Sequence, residues 1–264
     1  MYKLIVTDMD STLIDSSFAI CEKNKAAIHA AMDMGIRIVF CSGRPCAGLL
    51  HFAREFDIIR PGNYIIGFNG CVVYDLAADK TLFEDELGID AAIIALENFA
   101  DLQARFGLEN SEAVVYKNNQ EIIIGHNGLW STRYKETSKT KPIYSENLID
   151  DLRKAGHCSK VIFIGLNEEL QIVSDVLAEK LDGVAEVMFS AEYFLEIASK
   201  NSSKGTGLQW LCDHIGIDIK ETIAIGDNFN DISMIEAAGF GVAVANAVNK
   251  LKDIADYTTV ASCG

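Results

Sequence analysis

Two short acidic segments, each following an apolar run, constrain this fold more than any other feature of the chain. Leu4-Ile5-Val6 leads into Asp8-Met9-Asp10-Ser11-Thr12-Leu13, and Thr222-Ile223-Ala224-Ile225 leads into Gly226-Asp227-Asn228-Phe229-Asn230-Asp231. Short continuous apolar runs read as strands buried on both faces, the kind found in parallel sheets. Each run ends at two carboxylates. Side by side, the two strands would gather Asp8, Asp10, Asp227 and Asp231 in one pocket. Such charge density requires a compensating cation, and hard oxygen ligands favour Mg²⁺. The pattern points to a metal-assisted reaction on an anionic group.

The segments between these runs fix the fold class. Near the N-terminus, strands at 2–7, 36–40 and 64–68 alternate with helices at 21–34 and 46–56. The rhythm resumes with a helix at 205–214, a strand at 222–225, a helix at 231–238 and a strand at 241–244. Alternation of this kind implies a doubly wound, Rossmann-like parallel sheet covered on both faces. The middle differs: strands at 113–116, 121–124 and 161–166 accompany helices at 90–106 and 168–182, with a hairpin turn at Asn118-Asn119. It reads as an inserted α/β domain over 80–187, leaving 1–79 and 188–264 as the core. The stretch from Trp130 to Tyr144 reads as a solvated connector, with a substrate-facing role as the alternative.

Composition narrows the function. With 264 residues, 49% of them hydrophobic, the chain can bury the cores of two domains. A net charge of -15 argues against a broad nucleic-acid surface or an anionic membrane as partner, but not against a small anionic substrate. No apolar stretch reaches about 18 residues, so no membrane span is expected. The short run before Asp8 is no signal peptide. Cys21, Cys41, Cys46, Cys71, Cys158, Cys212 and Cys263 include no Cys-x-x-Cys pair, which favours reduced thiols in a cytoplasm.

In a parallel sheet, residues that follow the strands share the carboxyl edge, where ligands bind. That edge would collect Asp8 and Asp10, Ser42-Gly43-Arg44, Asn69-Gly70 and Asp227. Ser42 and Gly43 form either an anion site or a plain N-cap. Arg44 is either a phosphate clamp or a surface ion pair. Ser203-Lys204-Gly205-Thr206-Gly207 lacks the order of a nucleotide-binding P-loop, yet Lys204 could reach the carboxylates from a helix start, where a lysine is otherwise unfavourable.

Taken together, these segments resemble the haloacid dehalogenase-like superfamily, most closely its Cof-type phosphatases with an inserted α/β cap. Asp8-Met9-Asp10-Ser11-Thr12 resembles the nucleophile loop, Ser42-Gly43-Arg44 the second motif, Lys204-Gly205 the third, and Gly226 to Asp231 the fourth. Asn69-Gly70, Leu195-Glu196-Ile197 and Ala245-Asn246-Ala247 also fit. Ser11 stands where many relatives carry Gly, and relatives continue into a C-terminal helix near where this chain stops. The resemblance implies a cytoplasmic phosphatase acting on a small phosphorylated metabolite, a sugar phosphate, through an aspartyl phosphate. Asp8 would be the nucleophile and Asp10 the acid and base. Mg²⁺ would be held by Asp8, the Asp10 backbone and Asp227. Ser42, Gly43, Arg44, Lys204 and Asn230 would bind the phosphoryl group, with Asp231 and Asn69 behind them. The alternatives are a sugar phosphomutase and a non-catalytic phospho-receiver or ligand sensor. The inserted domain would set specificity.

Overall fold

The apolar runs near the two ends of the chain are neighbouring strands of one sheet. The computed structural model describes residues 1–15, 19–126 and 128–262. It divides into two units, Met1–Glu84 with Ser202–Gly264, and Asp85–Asn201.

In the first unit the chain runs through β1 (Leu4–Thr7), α1 (Glu22–Asp33), β2 (Arg37–Cys41), α2 (Cys46–Glu55), β3 (Tyr64–Gly67), β4 (Val72–Asp75) and β5 (Lys80–Glu84). The second unit holds α3 (Ile89–Phe106), β6 (Ser111–Tyr116), β7 (Glu121–Gly125), α4 (Leu129–Ser138), β8 (Lys141–Ser145), α5 (Leu148–Ala155), β9 (Lys160–Gly165), α6 (Asn167–Lys180), β10 (Ala185–Ala191) and β11 (Phe194–Ser199). The first unit resumes with α7 (Lys204–Ile215), β12 (Thr222–Gly226), α8 (Ile232–Ala237), β13 (Phe240–Ala243), α9 (Asn249–Ile254) and β14 (Tyr257–Thr258).

The first sheet has the order β14-β13-β12-β1-β2-β3-β4-β5. Pairs from β14 to β3 are parallel, and β4 and β5 extend the sheet as an antiparallel hairpin that the sequence did not announce. β1 pairs with both β12 and β2, placing Thr7 between Ile225 and Phe40. The chain leaves β1 toward β2 and returns on its other flank at β12, so a topological switch point lies at the ends of β1 and β12. Alternate residues bury opposite faces. Leu4, Val6, Val39 and Ile66 pack with Leu208, Leu211 and Met234, while Phe40 on the other face meets Phe56 edge-on at 5.5 Å.

The second sheet has the order β10-β11-β9-β6-β7-β8, antiparallel except for β7 with β8. Val115, Phe163 and Ile197 pack against Phe99, Leu152 and Leu177 of α3, α5 and α6. The Asn118-Asn119 turn joins β6 to β7, with Asn118 Oδ1 accepting the N–H groups of Gln120 and Glu121 at 2.9 Å. The expected boundaries of 80 and 187 require correction. β5 belongs to the first sheet because it pairs with β4, and β10 and β11 belong to the second because β11 pairs with β9. The stretch from Trp130 to Tyr144 is not a connector but α4 and most of β8; the Tyr134 hydroxyl meets that of Tyr116 at 2.7 Å. Among the described residues six cysteines are free thiols, and Cys263 lies outside the described residues. No helix of the described residues is long and apolar enough to cross a membrane.

One backbone approach seats α7 on the sheet. Gly70, in the turn after β3, has φ 105°, and a Cβ there would lie 1.9 Å from the carbonyl oxygen of Ser203. Both the conformation and the contact require glycine. Gly70→Ala is therefore expected to cost at least about 2 kcal/mol, through strain and displacement of the α7 start. Urea unfolding followed by circular dichroism checks this; an unchanged midpoint would show that the approach is dispensable.

Candidate active site

Asp8 is the first residue after β1. Its backbone N–H donates to the Ile225 carbonyl at 2.9 Å, extending the β1–β12 ladder by one step. Its side chain is buried. Lys204, fully buried at the first position of α7, places Nζ 2.5 Å from Asp8 Oδ1 and 2.6 Å from Asp231 Oδ1. The helix start that aims this lysine is fixed by a capping box, in which Ser203 and Thr206 each bond the other's backbone N–H.

Asp231 is fully buried, and its Oδ2 accepts the N–H groups of Asp227 and Asn228, each at 2.9 Å. It lies so close over the preceding strand end that a Cβ at Gly226 would be 2.6 Å from its own Cβ. Asp227 Oδ1 accepts the Thr12 hydroxyl at 2.8 Å. Thr12 gained no role of its own from the sequence; only the pairing of β1 with β12 brings it to Asp227. Oxygens of Asp8, Asp227 and Asp231 lie within 4.8 Å of one another.

The expected cluster of four carboxylates is thus three. Asp10 is half-exposed, and its two oxygens accept Arg44 Nη2 at 2.6 Å and Nε at 2.7 Å. Of the two readings of Arg44, the ion pair is the one present. Ser42 is buried, and its Oγ accepts the Arg44 backbone N–H at 3.2 Å. Neither Ser42 nor Gly43 caps α2; the position before Cys46 is Pro45, and no side chain bonds the helix start. Asn69, left-handed at φ 53°, donates its N–H to the Ser42 carbonyl at 3.0 Å, and its Oδ1 accepts Asn230 Nδ2 at 3.1 Å. Ser42, Asn69 and Asn230 are therefore one hydrogen-bonded chain across three strand ends. Ser11 also sits in the left-handed region, at φ 63°, where glycine carries no steric cost. Its carbonyl accepts Asn246 Nδ2 at 2.8 Å.

The charges do not balance. Burial pushes the Asp8 carboxyl up to about 7, against the pull of Lys204 and with the push of Asp231. Burial also raises Asp227, opposed by the Thr12 hydroxyl. Burial alone would discharge Lys204, but Asp8 and Asp231 outweigh it and hold the ammonium above its ordinary value. One ammonium thus faces three carboxylates. Asp231 already accepts three hydrogen bonds, so most of the coordinating capacity left over is that of Asp8 and Asp227. A buried surplus of negative charge on all-oxygen donors fits a hard divalent cation.

Comparison with known proteins agrees with this geometry. The family model of the haloacid dehalogenase-like hydrolase matches residues 5–263. "Putative phosphatase YxeH" of Bacillus subtilis is 32% identical over 259 residues, covering 98% of this chain and 93% of that protein. HMP-PP phosphatase of Klebsiella pneumoniae is 28% identical over 257 residues, covering 96% of this chain and 87% of that one. The crystal structure of a haloacid dehalogenase-like hydrolase from Bacteroides thetaiotaomicron superposes with a TM-score of 0.86 at 30% identity, covering 98% of this chain and 94% of that one. A match that runs from the strand before Asp8 past the loop of Asp231 leaves one conclusion: the chain belongs to the haloacid dehalogenase-like hydrolase family.

Proposed function

We propose that this protein is a Mg²⁺-dependent phosphatase that hydrolyses a small phosphorylated metabolite through an aspartyl phosphate. The observation that carries the reading is the buried Asp8, held by Lys204 beside Asp227 with more negative charge than the lysine offsets. Relatives named as phosphatases support the reaction class. A sugar phosphate is the substrate class that the family resemblance implies.

Asp8, Asp227 and the Asp10 carbonyl would hold the cation. Bound there, Mg²⁺ supplies the positive charge that lets a phosphate dianion approach carboxylates. Lys204 holds one oxygen of Asp8 and so orients the other for attack. The Asp8 oxygen forms a bond to phosphorus as the bond to the leaving alcohol breaks, and Asp10 gives that oxygen its proton. Asp10, now a carboxylate, takes a proton from the water that attacks the phosphoaspartate; inorganic phosphate leaves and Asp8 is restored. The Ser42 oxygen accepts from the Arg44 backbone, which leaves its own O–H for a phosphoryl oxygen. The Gly43 N–H, Lys204 and Asn230 complete the donors, and Asn69 orients Asn230.

Phosphate release from a panel of phosphorylated metabolites tests the reading. Asp8→Asn is expected to lower turnover by at least about a thousandfold with an unchanged circular dichroism spectrum. EDTA should abolish turnover, Mg²⁺ restore it, and Ca²⁺, larger and less strict in geometry, support it poorly. Near-parental turnover by Asp8→Asn would overturn the role of Asp8. Formation of an isomerised phosphate without release would point to a phosphomutase.

A second prediction concerns stability. The Asp8 carboxyl titrates near 7 in the folded protein, against an ordinary value of 3.8. The metal-free fold thus binds this proton more tightly than the unfolded chain does. Its contribution is full below about pH 4 and is lost as pH rises through about 7, an effect of a few kcal/mol. In EDTA, Tm should fall between about pH 6 and about pH 8, and Asp8→Asn should flatten that fall. Mg²⁺ should raise Tm more at the higher pH. Parallel melting profiles for the parent and Asp8→Asn would refute the assignment.

A further inference from the structure

Arg44 and Asp10 come from loops after different strands, β2 and β1, and meet as a fork. Nε and Nη2 donate to the two oxygens of one carboxylate at 2.7 and 2.6 Å. Among the described residues no other donor reaches the Asp10 side chain. The arginine is itself held. Its backbone N–H donates to Ser42 Oγ at 3.2 Å, its carbonyl accepts the Phe68 N–H at 3.1 Å, and its guanidinium carbon lies 5.7 Å from the centre of the Phe52 ring. The backbone around Asp10 is held by the Ser11 N–H to the Ile14 carbonyl and the Ile14 N–H to the Met9 carbonyl, at 2.8 and 2.9 Å, but its side chain is 43% exposed. The Arg44 side chain, packed on Phe52, therefore sets the orientation of the Asp10 carboxyl.

We propose that Arg44 is a positioning residue for Asp10 rather than a ligand of the phosphoryl group. The inference rests on the phosphatase reading, in which Asp10 protonates the leaving oxygen. That step breaks the O–H bond of Asp10 and the bond from phosphorus to the leaving oxygen, while the bond from Asp8 to phosphorus forms. It works only with the carboxyl aimed at the departing oxygen, and small misplacements of such a group are costly. While one oxygen carries the proton, the guanidinium still donates to the other, and its own plane, packed on Phe52, keeps the carboxyl aimed. A lysine would retain the charge but not the plane. The role also accounts for the support given to Arg44 by Ser42, Phe68 and Phe52, since a residue that aims another must first be fixed.

The test compares kcat/KM of the parent, Arg44→Gln and Arg44→Lys on phenyl phosphate and on 4-nitrophenyl phosphate, whose leaving group needs little protonation. With phenyl phosphate both variants should lose about tenfold to a hundredfold, and with 4-nitrophenyl phosphate less than about threefold. In an Asp10→Asn background, Arg44→Gln should cost little more, because the group it aims is already gone. The affinity of the Mg²⁺-loaded Arg44→Gln protein for inorganic phosphate, measured by calorimetry, should match the parent. Equal losses on both esters, or phosphate affinity weakened by about tenfold or more, would instead make Arg44 a phosphate ligand and overturn the proposal. Failure of the parent to cleave either ester would count against the phosphatase reading alone, and the calorimetric comparison would still decide the place of Arg44.

Discussion

A single buried ammonium organises the first unit. Lys204 has no exposure and lies between Asp8 and Asp231. Charges so placed are stable only as a set, and removal of one member leaves another uncompensated, commonly at a cost of about 3–5 kcal/mol. Much of the local sequence serves that placement. The Ser203–Thr206 capping box fixes the first turn of α7, Gly70 lets the turn after β3 touch the Ser203 carbonyl, and Asp231 is tied down by two backbone N–H groups. The arrangement is stable yet not neutral. The leftover negative charge on Asp8 and Asp227 suits a divalent cation, on which the proposed approach of a phosphate depends. Structural and chemical requirements meet in the same side chains.

The sequence disclosed the carboxyl edge because that edge is written in local terms. An apolar run followed by acids, or by Ser-Gly-Arg, is visible without knowledge of the partner strand, and parallel topology then requires those ends to meet. The pairings that depend on the third dimension were not visible. Nothing about Thr12 indicates that its hydroxyl meets Asp227, 215 positions away. An ion pair is one of the two readings open to Arg44, but the sequence does not name Asp10 as its partner, so the expected gathering of four acids became three acids and a separate ion pair.

Boundaries failed for a related reason. Neither Lys80 to Glu84 nor Phe194 to Ser199 carries a pattern that names its sheet. Only their partners, β4 for the former and β9 for the latter, assign them. The stretch from Trp130 to Tyr144 does not look helical in sequence because its lysines and threonines weaken the apolar period of α4. The helix is held instead by Glu112, whose carboxylate accepts the N–H groups of Trp130 and Ser131 and the Ser131 hydroxyl. Propensity predicts such a helix poorly when a distant side chain caps it.

The contact between Lys204 and Asp8 spans 196 positions, which gives the protein a particular history during synthesis. β1 leaves the ribosome early and finds β2 within a few dozen residues, but its other flank stays open until β12 is made. Over that interval the whole second unit is translated, and its strands, confined to residues 111–199, can pair among themselves. The nascent chain thus carries an unpaired apolar edge through most of translation, a state exposed to misassembly. Asp8 closes that edge with a carboxylate whose buried cation, Lys204, does not yet exist. Solvated charge at the end of an open strand discourages edge-to-edge association.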